Sequence, residues 1–107
     1  MTPEGAVQKA VIEYLNYSGF WVWRRNIGGR AWQDKSGKKR VMKFGVKGMA
    51  DLEGIAPDGR HVEVEVKAPG ETPSYEQNAW LEQARAKGAI ALWCDSLEML
   101  QEKLRNL

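Results

Sequence analysis

A chain of 107 residues with 43% hydrophobic residues and five tryptophans reads as one small folded domain, residues 1–107, too apolar for a disordered tail. Its net charge of +2 conceals a block from Arg24 to Lys47 in which nine basic residues face one acid, Asp34, and such blocks often meet nucleic acid. One cysteine and one histidine exclude an internal disulfide, a cysteine-based zinc site and multi-histidine metal centres; without a membrane-length apolar run or a secretory leader, an intracellular protein with no membrane partner is expected.

The first element announces itself at Thr2-Pro3, a capping residue followed by proline at the first helical position. A helix is expected to about Tyr17, with Ser18-Gly19 as its stop. Val7, Val11 and Leu15 recur at helical spacing, and Glu4 and Gln8 fall on the same stripe, aimed at the body of the protein. Phe20-Trp21-Val22-Trp23 is a strand signal. Trp21 and Trp23 are expected in the core, as are Trp80 and Trp93.

The stretch Asn26 to Arg40 is polar, basic and rich in glycine, with turn signals at Gly28-Gly29 and Ser36-Gly37. It reads as an exposed loop or irregular hairpin, with Val41 to Phe44 as its return strand. Arg24, Arg25, Arg30, Lys38, Lys39 and Arg40 are the candidate contacts to DNA phosphates, the main source of affinity for a nucleic acid. The rival reading is a solubilising loop. Trp32 fits either a platform for an unpaired base or a buried anchor for the loop. Gly45 and Gly48 bracket the next segment, where glycine lets backbone approach a ligand or a neighbouring strand closely.

Four carboxylates, Asp51, Glu53, Glu63 and Glu65, and Lys67 flank the tripeptide Pro57-Asp58-Gly59. That tripeptide is a turn signal, with proline presetting φ and glycine supplying a left-handed residue. A hairpin folded about Asp58 puts Asp51 across from Glu65 and Glu53 across from Glu63. Strand alternation then gathers Glu63, Glu65 and Lys67 on one side and Val62, Val64 and Val66 on the other. Like charges directly opposed on a sheet are destabilising, so this stacking implies a cation among the acids. Lys67 beside them points to phosphate chemistry. An all-oxygen ligand set favours Mg²⁺ or Mn²⁺ over zinc or copper. Glu63, nearer the turn, reads as a supporting or solvated acid.

After Pro69-Gly70, Ser74-Tyr75-Glu76-Gln77 matches a capping box opening a helix to about Lys87. Trp80, Leu81 and Ala84 form its apolar stripe, with Gln77 at the stripe's N-terminal end. Ala89 to Cys94 is continuously apolar, as in a strand covered on both faces. A final helix starts at Asp95 to Glu98, with Leu97, Leu100 and Leu104 inward. The whole predicts an α/β sandwich with a mixed sheet.

The ordered set resembles a known family. Asp51, thirteen intervening residues and Glu65-Val66-Lys67 are similar to the bipartite motif of the restriction-endonuclease-like superfamily. With Glu4, Gly48-Met49-Ala50-Asp51-Leu52, Glu63-Val64-Glu65-Val66-Lys67 and Ser74-x-x-Gln77 added, the chain resembles the stand-alone VRR-NUC (virus-type replication and repair) nucleases over almost its whole length. The resemblance implies an α-β-β-β-α-β(-α) core with helices flanking a mixed central sheet. It implies Mg²⁺- or Mn²⁺-dependent DNA endonuclease activity on branched DNA such as four-way Holliday junctions, in a homodimer, without an organic cofactor. By position, Glu4, Asp51, Glu65 and the Val66 carbonyl are then metal ligands. Asp51, Glu65 and Lys67 are catalytic, Lys67 either orienting the attacking water or stabilising the transition state. Gln77 is an accessory residue by the resemblance and a capping residue by its local motif. The rival functions are a non-catalytic DNA-binding module of the same fold and a nuclease subunit that relies on a partner for substrate binding.

Overall fold

A computed structural model describes residues 1–25, 29–43 and 46–107, with backbone only at 29–31 and 41–43. In chain order the elements are α1 (Pro3–Tyr17), β1 (Trp21–Arg24), β2 (Gly29–Gln33), β3 (Lys39–Lys43), β4 (Leu52–Ile55), β5 (His61–Val66), α2 (Tyr75–Ala86), β6 (Ile90–Cys94) and α3 (Leu97–Arg105). Strands β1, β4, β5 and β6 form one sheet in that order. The first three pair antiparallel, and β5 and β6 pair parallel. Helix α2 supplies the crossover that a parallel pair requires. The protein is therefore mixed α/β, with a mixed four-stranded sheet and, among the described residues, three helices. None of these helices is long and apolar enough to cross a membrane.

Local chemistry sets each boundary. The Thr2 hydroxyl accepts the Gly5 N–H at 3.0 Å, and Pro3 occupies a position whose N–H has no helical partner. At the hairpin between β4 and β5, Gly59 takes φ +92° and donates to the Ala56 carbonyl at 2.8 Å. The register is symmetric about Asp58, with Glu53 opposite Glu63 and Leu52 opposite Val64.

The pleat sorts side chains onto two unlike faces. On one, Val22, Leu52, Val62, Val64, Val66, Ile90, Leu92 and Cys94 are buried under Val11 and Leu15 of α1 and Leu100 of α3. Val7, Leu97 and Leu104 pack around this core as the stripes predict. Burial pushes the Cys94 thiol up to about 12, so it is a packed apolar group and not a nucleophile. On the other face α2 covers only the β5–β6 half, laying Leu81 over Ala50 and Ala91 with Trp80, Ala84 and Trp93 at the margin.

That half-cover corrects the core assignment of two tryptophans. Trp21 and Trp23 are 67% and 38% exposed, because they leave β1 on the side that α2 does not reach. Both sheet edges are closed by side chains. Asn16 pairs with both backbone groups of Val22 on β1, at 2.9 and 3.1 Å. Arg85 and Lys103 donate to the Ala91 and Trp93 carbonyls of β6, at 2.8 and 2.7 Å. Such caps block edge-to-edge pairing.

The basic stretch forms its own two-stranded sheet, β2 with β3, Trp32 opposite Arg40. The reading of this stretch as a loop or irregular hairpin thus resolves, over the described residues 29–43, into a regular hairpin. Gly28 of the first turn signal, Phe44 of the return strand and Gly45 lie outside the described residues, as do Asn26 and Ile27. Asp34 organises the β2–β3 turn, its Oδ1 accepting the Ser36 and Lys38 N–H groups at 2.9 Å each.

Candidate metal centre

Three chain segments converge at the C-terminal end of β5. Glu4 comes from the first turn of α1, Asp51 from the entry to β4 and Glu65 from β5. One carboxylate oxygen from each lies within 4.8 Å of the other two. Glu4 is exposed, Asp51 half-buried and Glu65 buried, so the cluster has a floor inside the protein and a mouth toward solvent. The register carries Asp51 to the position opposite Glu65, and its Oδ2 accepts the Val66 N–H at 3.1 Å. The Val66 N–H and C=O leave the strand on one side, so this contact turns that edge of β5, carbonyl included, toward Asp51. Lys67 follows with its N–H on the Cys94 carbonyl at 2.9 Å, and its ammonium lies near enough to favour the charged form of Glu65.

Glu65 is the unusual member. Only 2% of it is exposed. Its Oε1 accepts the Gln77 Nε2–H at 3.0 Å, while Oε2 is buried with no hydrogen-bond partner among the described residues. A buried carboxylate oxygen without a partner is costly. Burial, then the negative charge of Asp51 beside it, push the Glu65 carboxyl up to about 8; Glu4 adds to this and Lys67 opposes it. Either a proton held between Glu65 and Asp51 or a cation among the three acids satisfies the orphaned oxygen. An all-carboxylate set of this kind fits a hard dication.

Gln77 caps α2 and reaches Glu65 with the same amide. Its Oε1 accepts the Ser74 N–H at 2.8 Å while Ser74 Oγ accepts the Gln77 N–H at 3.2 Å, closing the capping box. The amide's remaining donor goes to Glu65. Gly48 holds this helix start close to the site. It takes φ +88°, and a Cβ there would lie 2.4 Å from the Glu76 carbonyl oxygen. The close approach expected of this glycine is thus made to α2, and not to a strand or a ligand.

The second buried acid, Glu63, is fully paired. Arg25 grips it with two nitrogens at 2.8 and 2.6 Å, the Trp80 indole donates at 2.6 Å, and His61 adds a further contact. Burial alone would raise its pKa, but the bonds from Arg25, Trp80 and His61 together hold it below the usual carboxylate range. Of the two readings of Glu63, a supporting or a solvated acid, burial at 1% exposure overturns the solvated one.

The reading of Arg25 as a DNA contact is also corrected. Its side chain is only 7% exposed and also binds Glu53 at 2.6 Å, lying 5.7 Å from the Trp80 ring centre. Burial opposes its charge, and the bonds to Glu63 and Glu53 outweigh burial and raise its pKa. It donates besides to the Ala50 carbonyl at 3.0 Å, while its backbone N–H meets the Asp51 carbonyl at 2.8 Å. Arg25 thus fixes the segment that delivers Asp51. The signal was present in the alternation Trp21, Trp23, Arg25, which puts all three on the acid-bearing face.

No ion pair links the other basic candidates to these acids among the described residues. Arg24 is exposed and alternates to the opposite face of the sheet from Trp23. Lys38, Lys39 and Arg40 are exposed on the β2–β3 hairpin, with Arg40 Nε paired to Asp34 at 3.0 Å. Arg30 lies on β2, its side chain outside the described residues. Trp32 is 40% exposed, so the buried-anchor alternative is not realised.

Comparison with protein-family models, with curated proteins and with solved structures returns no match.

Proposed function

We propose that this protein is a Mg²⁺- or Mn²⁺-dependent DNA endonuclease with a restriction-endonuclease-like core. The observation that carries the reading is Glu65 Oε2, a buried and unpartnered oxygen beside Asp51 and Glu4. Glu4, Asp51, Glu65 and the Val66 carbonyl would hold the ion. When bound, it supplies positive charge to the scissile phosphate and makes water more acidic.

The chain's own groups do the rest. Gln77 and the Val66 N–H fix the orientations of Glu65 and Asp51. Arg25 holds the backbone at Ala50 and Asp51. Lys67, close enough to Glu65 to favour its charged form, would orient the attacking water or stabilise negative charge on the phosphate. The exposed Glu4 side leaves room for a phosphodiester to enter. The basic hairpin supplies cations for DNA, and its salt-sensitive affinity suits a small domain that must hold a large polyanion. Branched DNA, including four-way junctions, is the substrate class we assign, with a homodimer presenting two sites to two strands.

The test is incubation of the purified protein with junction, flap and linear DNA in Mn²⁺ or in EDTA. Cleavage is expected in Mn²⁺ with branched DNA preferred, and none in EDTA. Products that form equally in EDTA would remove the metal reading. Intact DNA in both, with tight binding, would leave a non-catalytic DNA-binding module.

A further inference from the structure

The sheet face that carries the acids continues beyond them, and among the described residues its β1–β4 half has no covering helix. Moving along β4 and β5 away from Asp51 and Glu65, the next row is Trp23, Glu53 and Glu63, and the one after is Trp21, Ile55 and His61. Two residues of strand advance about 7 Å, so these rows lie about 7 and 14 Å from the acids. Ile55 is 40% exposed, and with Trp21 and Trp23 it makes a short apolar strip on a surface that α2 leaves bare.

The strip is organised. The two indoles sit 5.2 Å apart, inclined by 60°. The Trp23 Nε1–H is already given to Glu53 at 3.1 Å, and Arg25 grips that same Glu53 from the other side. The Trp23 ring is therefore held in place with its donor already used, while 38% of the residue stays exposed. We propose that Trp21 and Trp23 form a stacking platform for unpaired nucleobases next to the phosphate that is cut.

The placement rests on the nuclease reading, since it takes the acids as the point where a phosphodiester sits. A strand seated there and running toward the β4–β5 turn passes over both rings. Aromatic faces take any base, whereas bases inside a duplex are already stacked, so the platform favours single-stranded segments at branch points. Backbone pairing by another chain is a poor alternative at this edge, because Asn16 occupies both free groups of Val22. A second copy docked face to face is also disfavoured. Two indoles and an isoleucine, flanked by Glu53 and His61, fall short of the broad apolar centre of a stable dimer interface.

The experiment is fluorescence anisotropy in EDTA with labelled oligothymidylate and an abasic oligonucleotide of equal length. The wild-type protein, Trp21→Phe/Trp23→Phe and Trp21→Ala/Trp23→Ala are compared, with circular dichroism to confirm folding. Wild type is expected to bind oligothymidylate about tenfold tighter than the abasic strand, the order of one stacked base. The Phe pair keeps most of that preference. The Ala pair loses it while holding the abasic strand as before. Equal binding of the two strands by wild type overturns the platform, and this arm stands even if the Ala pair does not fold. A preference that survives in the folded Ala pair also overturns it. So does sedimentation in which the Ala pair turns a dimer into a monomer with the base preference unchanged.

No metal enters this assay, so the two readings fail separately. A base preference without Mn²⁺-dependent cleavage keeps the platform and sinks the nuclease. Cleavage without a base preference does the reverse.

Discussion

Glu63 and Glu65 leave β5 on the same face, two residues apart, and both are almost wholly removed from solvent. Glu63 meets Arg25, Trp80 and His61, and its charge is held on. Glu65 meets one donor, faces Asp51 and Glu4, and its proton is held on. The protein therefore encloses one acid as half of an ion pair and another as an open valence. A buried carboxylate by itself points to nothing; what distinguishes a structural acid from a candidate ligand is whether its oxygens are already spoken for.

The largest expected effects come from exchanging those fates. Arg25→Met strands Glu63 without its cation, and breaking a buried pair from one side costs about 3–5 kcal/mol. For a domain of this size that is a fall of tens of degrees in Tm. Adding Glu63→Gln, which keeps a partner for the Trp80 indole, is expected to recover much of the loss. By contrast, Glu65→Gln replaces a carboxyl that is already largely neutral at pH 7 in the metal-free protein. Its Tm is expected to stay near wild type while Mn²⁺-dependent cleavage disappears. Thermal unfolding and a cleavage assay on the same preparations decide it. If Glu65→Gln unfolds the protein and Glu63→Gln silences it without destabilising it, the two acids have been assigned the wrong way round.

The pH dependence follows from the raised carboxyl. The folded, metal-free protein keeps the Glu65 proton up to about 8, whereas the unfolded chain loses it near the ordinary 4.5. Between those values the folded state binds more protons, so this group's contribution to stability is complete below 4.5 and drains away as pH rises through 8. A dication competes with the proton, so Mn²⁺ affinity should rise by up to about tenfold per pH unit below 8 and level off above it. Titration calorimetry at pH 6, 7, 8 and 9 measures this slope. Glu65→Gln should flatten it, and a flat slope in the wild type would mean that no buried carboxyl gives way to the ion.

Much of this was legible in the chain. The turn at Pro57-Asp58-Gly59 sets the hairpin register, and that register places Asp51 opposite Glu65. The helical stripe brings Glu4 to the cluster from a different element, although the side chain stays exposed and is not turned inward. Arg25 was misread because the charge block around it is defined by composition, while its fate is decided by strand alternation and by the acid waiting on the neighbouring strand. Trp21 and Trp23 carry the strand propensity that usually accompanies burial, but a sheet face is buried only where something covers it. The coverage of α2 depends on helix placement, which no local pattern encodes. The approach of Gly48 to α2 was out of reach for the same reason: a glycine announces permissiveness, not its neighbour.

The smallest effect, and the finest test of the contrast between the two acids, concerns Gln77, which holds Glu65 and caps α2 with the same amide. Gln77→Ala removes both functions. Gln77→Glu keeps an acceptor for the Ser74 N–H, as a capping box allows, but has no donor for Glu65. The Ala variant is expected to lose about 1 kcal/mol and the Glu variant almost none. Both should cut DNA about tenfold more slowly, at the low end of what removing a ligand's supporting hydrogen bond costs. The stability assay thus separates the two substitutions and the cleavage assay unites them. Wild-type cleavage by Gln77→Glu would show that the glutamine only starts a helix, and that Glu65 finds its place without help.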